Sequence, residues 1–169
     1  MDMAEPPQVL AHEPNGITLS VCLRCRDGHE RAEDDTRGGT RFARSILAAR
    51  AGQLATHTDA PERSLPPHTI RGVRCMSQCK RPCTVAFSAP GRFTYLFGDL
   101  DPADHAADVL AAFVAYANAP EGFLPRDARP APLQAGILGR IPPLGSCHET
   151  VTVLAGSPAP EFTAQGASL

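Results

Sequence analysis

Apolar and polar residues alternate over Ile17-Thr18-Leu19-Ser20-Val21, the period-two pattern of a half-buried strand. A weaker run of the same kind covers His68 to Val73, clearest over Thr69-Ile70-Arg71-Gly72-Val73. Between them a charged stretch, 27–39, ends in Gly38-Gly39 and reads as a solvated loop. Phe42, Ile46, Leu47 and Ala51 then recur at helical spacing, which predicts a helix from a Thr40 cap to about Gln53. Thr84–Ser88 and Phe93–Phe97 flank Pro90-Gly91 and predict an antiparallel hairpin. Asp101-Pro102 pairs a capping residue with a favoured first helical residue. The helix it announces runs to about Asn118 and carries Val109, Leu110, Phe113, Val114 and Ala117 on one face. Past residue 120, Pro120, Pro125, Pro130, Pro132, Pro142, Pro143, Pro158 and Pro160 argue against regular structure. That predicts an extended wrap to about Pro143.

The order is strand, helix, strand, cysteine loop, hairpin, helix. A right-handed crossover makes the first two strands parallel, and the hairpin adds antiparallel partners. The expected fold is α/β and thioredoxin-like, with a mixed four-stranded sheet, two main helices and a Pro-rich C-terminal extension. At 169 residues the chain suits one domain with a sizeable core. The expected division is a flexible arm over 1–16, the domain over 17–143 and a disordered tail over 144–169.

Five of the six cysteines fall in two groups, Cys22 and Cys25 after the first strand and Cys75, Cys79 and Cys83 after the second. In a parallel α/β sheet both strands deliver their C-terminal ends to one edge, where sites usually lie. Thiolates converging there bind a metal or an iron–sulfur cluster. The first residues lack the basic start and apolar middle of a signal peptide, and no apolar run approaches the roughly 18 residues of a membrane helix. A soluble cytoplasmic protein is therefore expected, with no membrane association. In that reducing setting closely spaced cysteines favour metal or redox chemistry over disulfides. A net charge of -2 and a pI near 6.3 offer no basic field for nucleic acid.

Spacing discriminates among metals. Iron–sulfur clusters tolerate varied spacing because separate loops meet in the fold. Structural zinc typically uses two short C-x2-C hooks in one closed module, and C-x3-C-x3-C does not fit that pattern. Arg24, Arg26, Arg74, Lys80 and Arg81 border the cysteines, where positive charge favours thiolates. Backbone N–H groups from Met76 to Lys80 are placed to donate to sulfur. Cys83 reads equally as a ligand and as a small buried residue at the start of a strand. Cys147, beside His148 in the tail, and His29, in a loop, are weaker candidates. Phe87, Phe93, Tyr95 and Phe97 read as hairpin core, and Asp99 and Asp101 as turn and cap residues. There is no G-x-S-x-G, no H-E-x-x-H and no phosphate-binding glycine loop.

The run Arg74-Cys75-Met76-Ser77-Gln78-Cys79, then Thr94-Tyr95-Leu96-Phe97-Gly98-Asp99-Leu100-Asp101-Pro102, then Gly139-Arg140-Ile141-Pro142-Pro143, resembles a bacterial family of uncharacterised, predicted metal-binding proteins. That family is related to thioredoxin-like 2Fe-2S ferredoxins and often sits near cobalamin or cobalt-handling genes. The resemblance implies a 2Fe-2S cluster as cofactor, with Cys22 and Cys25 as the first ligand pair and Cys75 and Cys79 as the second. The first pair here is closer in sequence than in those ferredoxins, and Cys83 stands where they usually carry a proline. Cys83 therefore remains an alternative ligand or a neighbour of the ligands, and zinc or another divalent metal an alternative cofactor. The expected function is one-electron transfer to a redox partner protein, linked by the resemblance to cobalt or cobalamin metabolism. An electron carrier of this kind is not itself an enzyme, and a homodimer is compatible with it. The rivals are a non-redox metal-binding accessory protein (zinc, cobalt or iron) and a thioredoxin-like thiol oxidoreductase using Cys22 and Cys25. Against the last, a glycine-bearing charged loop rather than a helix follows the pair.

Overall fold

The structure, a computed structural model, describes residues 16–30, 36–56 and 68–156. The expected N-terminal arm up to residue 15 and the tail from residue 157 lie outside the described residues. The first alternating run forms β1 (Ile17–Cys22), all six residues of which are buried. Helix α1 (Gly38–Thr56) leads to β2 (His68–Val73), parallel to β1 with Ile17 opposite His68 and Cys22 opposite Val73. The hairpin strands β3 (Val85–Ser88) and β4 (Thr94–Phe97) follow, then α2 (Ala106–Asn118). β3 pairs antiparallel with both β1 and β4. Parallel β1–α1–β2 followed by an antiparallel hairpin and a helix is the thioredoxin-like arrangement.

The sheet has five strands, not four, in the order β2-β1-β3-β4-β5. The extra strand, β5 (Ile137–Ile141), lies antiparallel to β4 within the segment expected to wrap without regular structure. A short helix, α3 (Ala131–Ala135), and a 3-10 turn over Pro120–Gly122 precede it. The prolines punctuate these elements without interrupting them. Pro120 opens the turn, Pro130 and Pro132 sit at the start of α3, and Pro142 follows β5. At those positions no N–H is needed for a ladder or a helix.

Register sorts the side chains. Leu19 and Val21 lie opposite Phe87 and Val85, which lie opposite Tyr95 and Phe97, and all six are buried. Phe113 and Tyr116 of α2 cover this face, with ring centroids 5.3 and 5.7 Å from Phe87. The hairpin aromatics are therefore core, as their alternation predicts. In α1 only part of the expected stripe turns inward. Phe42 and Ile46 are buried, whereas Leu47 is 54% exposed and Ala51 is exposed. The chain after α2 is tied to the sheet by polar contacts. Tyr95 Oη accepts the Leu124 N–H at 2.8 Å and donates to the Leu124 carbonyl at 3.1 Å, and the Gly98 N–H donates to Gly136 at 2.8 Å.

Both expected helix caps act differently in the fold. Thr40 lies inside α1, and its hydroxyl donates to the Leu23 carbonyl at 3.1 Å, in the loop leaving β1. Asp101 Oδ1 accepts the N–H of Ala103 at 2.7 Å, capping a turn that precedes α2. That helix starts only at Ala106, after His105. The Gly39 N–H donates to Cys25 at 3.1 Å, and a Cβ on Gly39 would lie 2.0 Å from the Cys22 carbonyl. The start of α1 thus rests directly on the first cysteine loop. Gly39→Ala is expected to cost about 1–3 kcal/mol through overpacking, read as a lower urea midpoint with an unchanged slope. Gly52→Ala, where a Cβ would meet open space, is the control and is expected to be neutral or stabilising.

Candidate metal centre

Because β1 and β2 run parallel, the chain leaves both at the same edge of the sheet. The loop after β1 keeps both neighbours. The Cys22 N–H donates to Thr84 at 2.9 Å and the Leu23 N–H to Val73 at 2.8 Å, while Leu23 packs over Gly72. The second loop, 74–84, reverses at Ser77, whose φ of 60° is left-handed and whose N–H points at Cys75 Sγ, 3.4 Å away. It is then fastened to the chain after β4. Arg81 pairs with Asp99 at 2.5 Å, the Asp99 N–H donates to the Arg81 carbonyl at 3.2 Å, and the Cys83 N–H donates to Leu100 at 3.2 Å. Arg81, expected to serve the cysteines, is instead committed to this clasp. Asp99 is a turn residue with φ 55°.

The sulfurs divide into an inner group and an outer pair. Cys22, Cys25 and Cys83 are buried, and Cys75 and Cys79 are exposed. Burial pushes the Cys22 thiol up, opposed by the Arg24 and Met76 N–H groups directed at its Sγ. The Met76 donor comes from the second loop, so the two loops meet at Cys22. The Cys83 S–H donates to Cys25 and is the main reason that Cys25 is held down at about 5, against the cost of its burial. Cys22 and Thr84 add to that effect, and Thr84 Oγ1 lies 3.8 Å from Cys25 Sγ. Cys83 is pushed up, first by its contact with Cys25 and then by burial. Of the three, Cys25 is the natural thiolate.

Cys75 and Cys79 open onto a cavity of about 340 Å³ that Arg24, Arg26 and Arg37 also line. Arg37 was missed in the sequence because it belongs to a charged loop with no spacing signal. His29 lies in a neighbouring cavity with Asp27, Arg41 and Asp101. Cys147 lines a different one with Pro120, Glu121, Phe123 and His148. His148 stacks on Phe123 at 4.3 Å, so this part of the expected tail packs on the domain.

Among the described residues no three Cys, His, Asp or Glu side chains stand ready to hold a bare metal ion. The donor chemistry nonetheless fits an iron–sulfur cluster. Five cysteine sulfurs share one edge, backbone N–H groups face three of them (Cys22, Cys25 and Cys75), and arginines surround the outer pair.

Fold and edge together define a thioredoxin-like protein with a thiol-rich centre. The chain belongs to the family described as "Protein of unknown function (DUF1636)", which matches residues 19–143. A solved structure described as a thioredoxin-like 2Fe-2S ferredoxin from Aquifex aeolicus is similar at 14% identity and a TM-score of 0.43, covering 78% of this chain and 98% of that one. No curated protein matches the chain. Among the described residues no helix is long and apolar enough to cross a membrane.

The inner sulfurs make a prediction for metal-free protein. Cys83→Ala removes the donor that lowers Cys25 most, so the Cys25 thiol should rise toward the ordinary range. The ultraviolet thiolate absorbance of wild-type protein should survive to mildly acidic pH, and in Cys83→Ala it should vanish before neutrality. Superimposable titrations of the two proteins would refute the assignment.

Proposed function

We propose that this protein is a 2Fe-2S electron carrier whose cluster is held by Cys22 and Cys25 from the first loop and Cys75 and Cys79 from the second. The observation that carries the proposal is the meeting of the two loops at Cys22, where the Met76 N–H faces Cys22 Sγ. A cluster bound there would supply one-electron redox chemistry, and the chain's part is to hold, shield and tune it. Burial of Cys22 and Cys25 excludes water from the inner side. N–H groups directed at Cys22 and Cys75 stabilise thiolate charge, and Arg24, Arg26 and Arg37 offset the negative charge of a ligated cluster. Cys83 donates to Cys25 and so reaches the ligands without replacing one. A role in cobalt or cobalamin metabolism belongs to this proposal through the family resemblance alone.

Protein isolated without oxygen should be red-brown and carry about two irons and two sulfides per chain. Colourless protein with one zinc would replace this reading with the accessory-metal one. Cys75→Ala and Cys79→Ala should each abolish cluster incorporation, and Cys147→Ala should leave the visible spectrum unchanged. Cys25→Ser should damage the cluster, whereas Cys83→Ser should only shift its spectrum or potential. A normal paramagnetic signal from reduced Cys25→Ser, with none from Cys83→Ser, would exchange their roles.

One observation favours a second reading, a thiol oxidoreductase. Cys25 is a low-pKa thiol in contact with two others. Its burial argues against attack on an outside disulfide, because such a nucleophile needs access. Disulfide reductase activity in metal-free protein, lost in Cys22→Ser and Cys25→Ser, would establish this second reading.

A further inference from the structure

The cysteine edge is also the place where unpaired positive charge collects. Arg24 and Arg26 flank Cys25, Arg74 precedes Cys75, Lys80 follows Cys79, and Arg37 sits just ahead of α1. Arg24, Arg26, Arg74 and Lys80 are exposed, and Arg37 is half-buried. The ion pairs among the described residues are Arg41–Asp27 and Arg81–Asp99, so none of these five cations is neutralised by a carboxylate in the described fold. We propose that this rim is the docking surface for a partner protein that presents a face of Asp and Glu carboxylates. The proposal rests on the electron-carrier reading for what would cross the interface, and on the rim alone for the docking.

Two features of the surroundings select an acidic protein over other polyanions. Four of the five cations are arginines, whose planar fork pairs bidentately with carboxylates and with phosphates alike, so the choice between them falls to the surroundings. Outside the rim, the arginines and the Asp and Glu residues of the described fold balance, so the positive field is confined to the rim. A nucleic acid or an anionic bilayer extending past the rim would find no net attraction there, whereas a partner patch of matching size would place all its charge against the rim. The rim segments 22–27 and 74–81 also contain no aromatic side chain on which a base could stack. Docking at the rim would bring a partner's redox group next to Cys75 and Cys79, the exposed sulfurs of the edge. Being exposed, the rim acts chiefly on the encounter rate and is screened by salt.

The test uses the full chain as isolated and a fluorescent peptide of alternating Glu and Ala, followed by anisotropy at low and high salt. The peptide should bind at low salt and be released at high salt. Arg24→Gln/Arg26→Gln/Arg37→Gln should weaken it about tenfold. Arg74→Gln/Lys80→Gln, which leaves Arg24, Arg26 and Arg37 intact, should weaken it as well and covers the case of a misfolded triple variant. Arg44→Gln/Arg50→Gln, a similar loss of charge on α1, should leave binding unchanged. Equal loss in that control, or tighter binding of oligothymidylate or phosphatidylglycerol vesicles than of the peptide, would overturn the proposal. Iron and sulfide analysis of the same sample separates the two claims. Rim-dependent binding by iron-free protein upholds the docking surface and removes the electron carrier. Iron-loaded protein that ignores the peptide does the reverse.

Discussion

Everything at the cysteine edge depends on the parallel pairing of β1 with β2. Its register sets Cys22 opposite Val73, so the two cysteine loops leave the sheet side by side. A slip of one residue would turn every side chain of the slipped strand to the opposite face and separate the loops. The crossover helix locks this register from outside. α1 begins against the Cys22 carbonyl at Gly39 and donates to Leu23 through Thr40, a fit that tolerates no Cβ at Gly39. The site is therefore held by a helix whose own start it helps to define.

Burial then divides the sulfurs. A thiol removed from water resists ionisation, and three in contact cannot all ionise. The inner group answers by sharing hydrogen bonds, with Cys83 donating so that Cys25 can carry charge. The outer pair needs no such arrangement, because water and the arginines of the cavity surround it. One edge thus combines a dry side that fixes geometry with a wet, cationic side that can meet a partner. Under the electron-carrier reading, the same division would shield a cluster from solvent without closing it to electron exchange.

Much of this was legible in the chain itself. Period-two alternation identified β1 and the hairpin, and helical spacing identified α2, because the apolar side chains of each line up on one face, although in β1 the polar face is buried as well. The two cysteine groups announced a thiol site by chemistry and spacing alone. Where local signals compete with packing they failed. Thr40 and Asp101 have the side chains of helix caps, but the fold gave their oxygens other partners. Proline density over 120–143 hid α3 and β5, since composition does not reveal that each proline falls between elements or in the first turn of one.

What the sequence determined by itself is the alternation that builds the core and the two cysteine groups that follow parallel strands. These are local properties of period and residue type. Only the tertiary structure decided that Cys83 joins Cys22 and Cys25 inside, that Cys75 and Cys79 stay outside, that Arg37 enters the cavity and that Arg81 is held by Asp99. Each of those outcomes needs residues far apart in the chain to meet. Only the packing of α1 and the hairpin around the sheet edge brings them together.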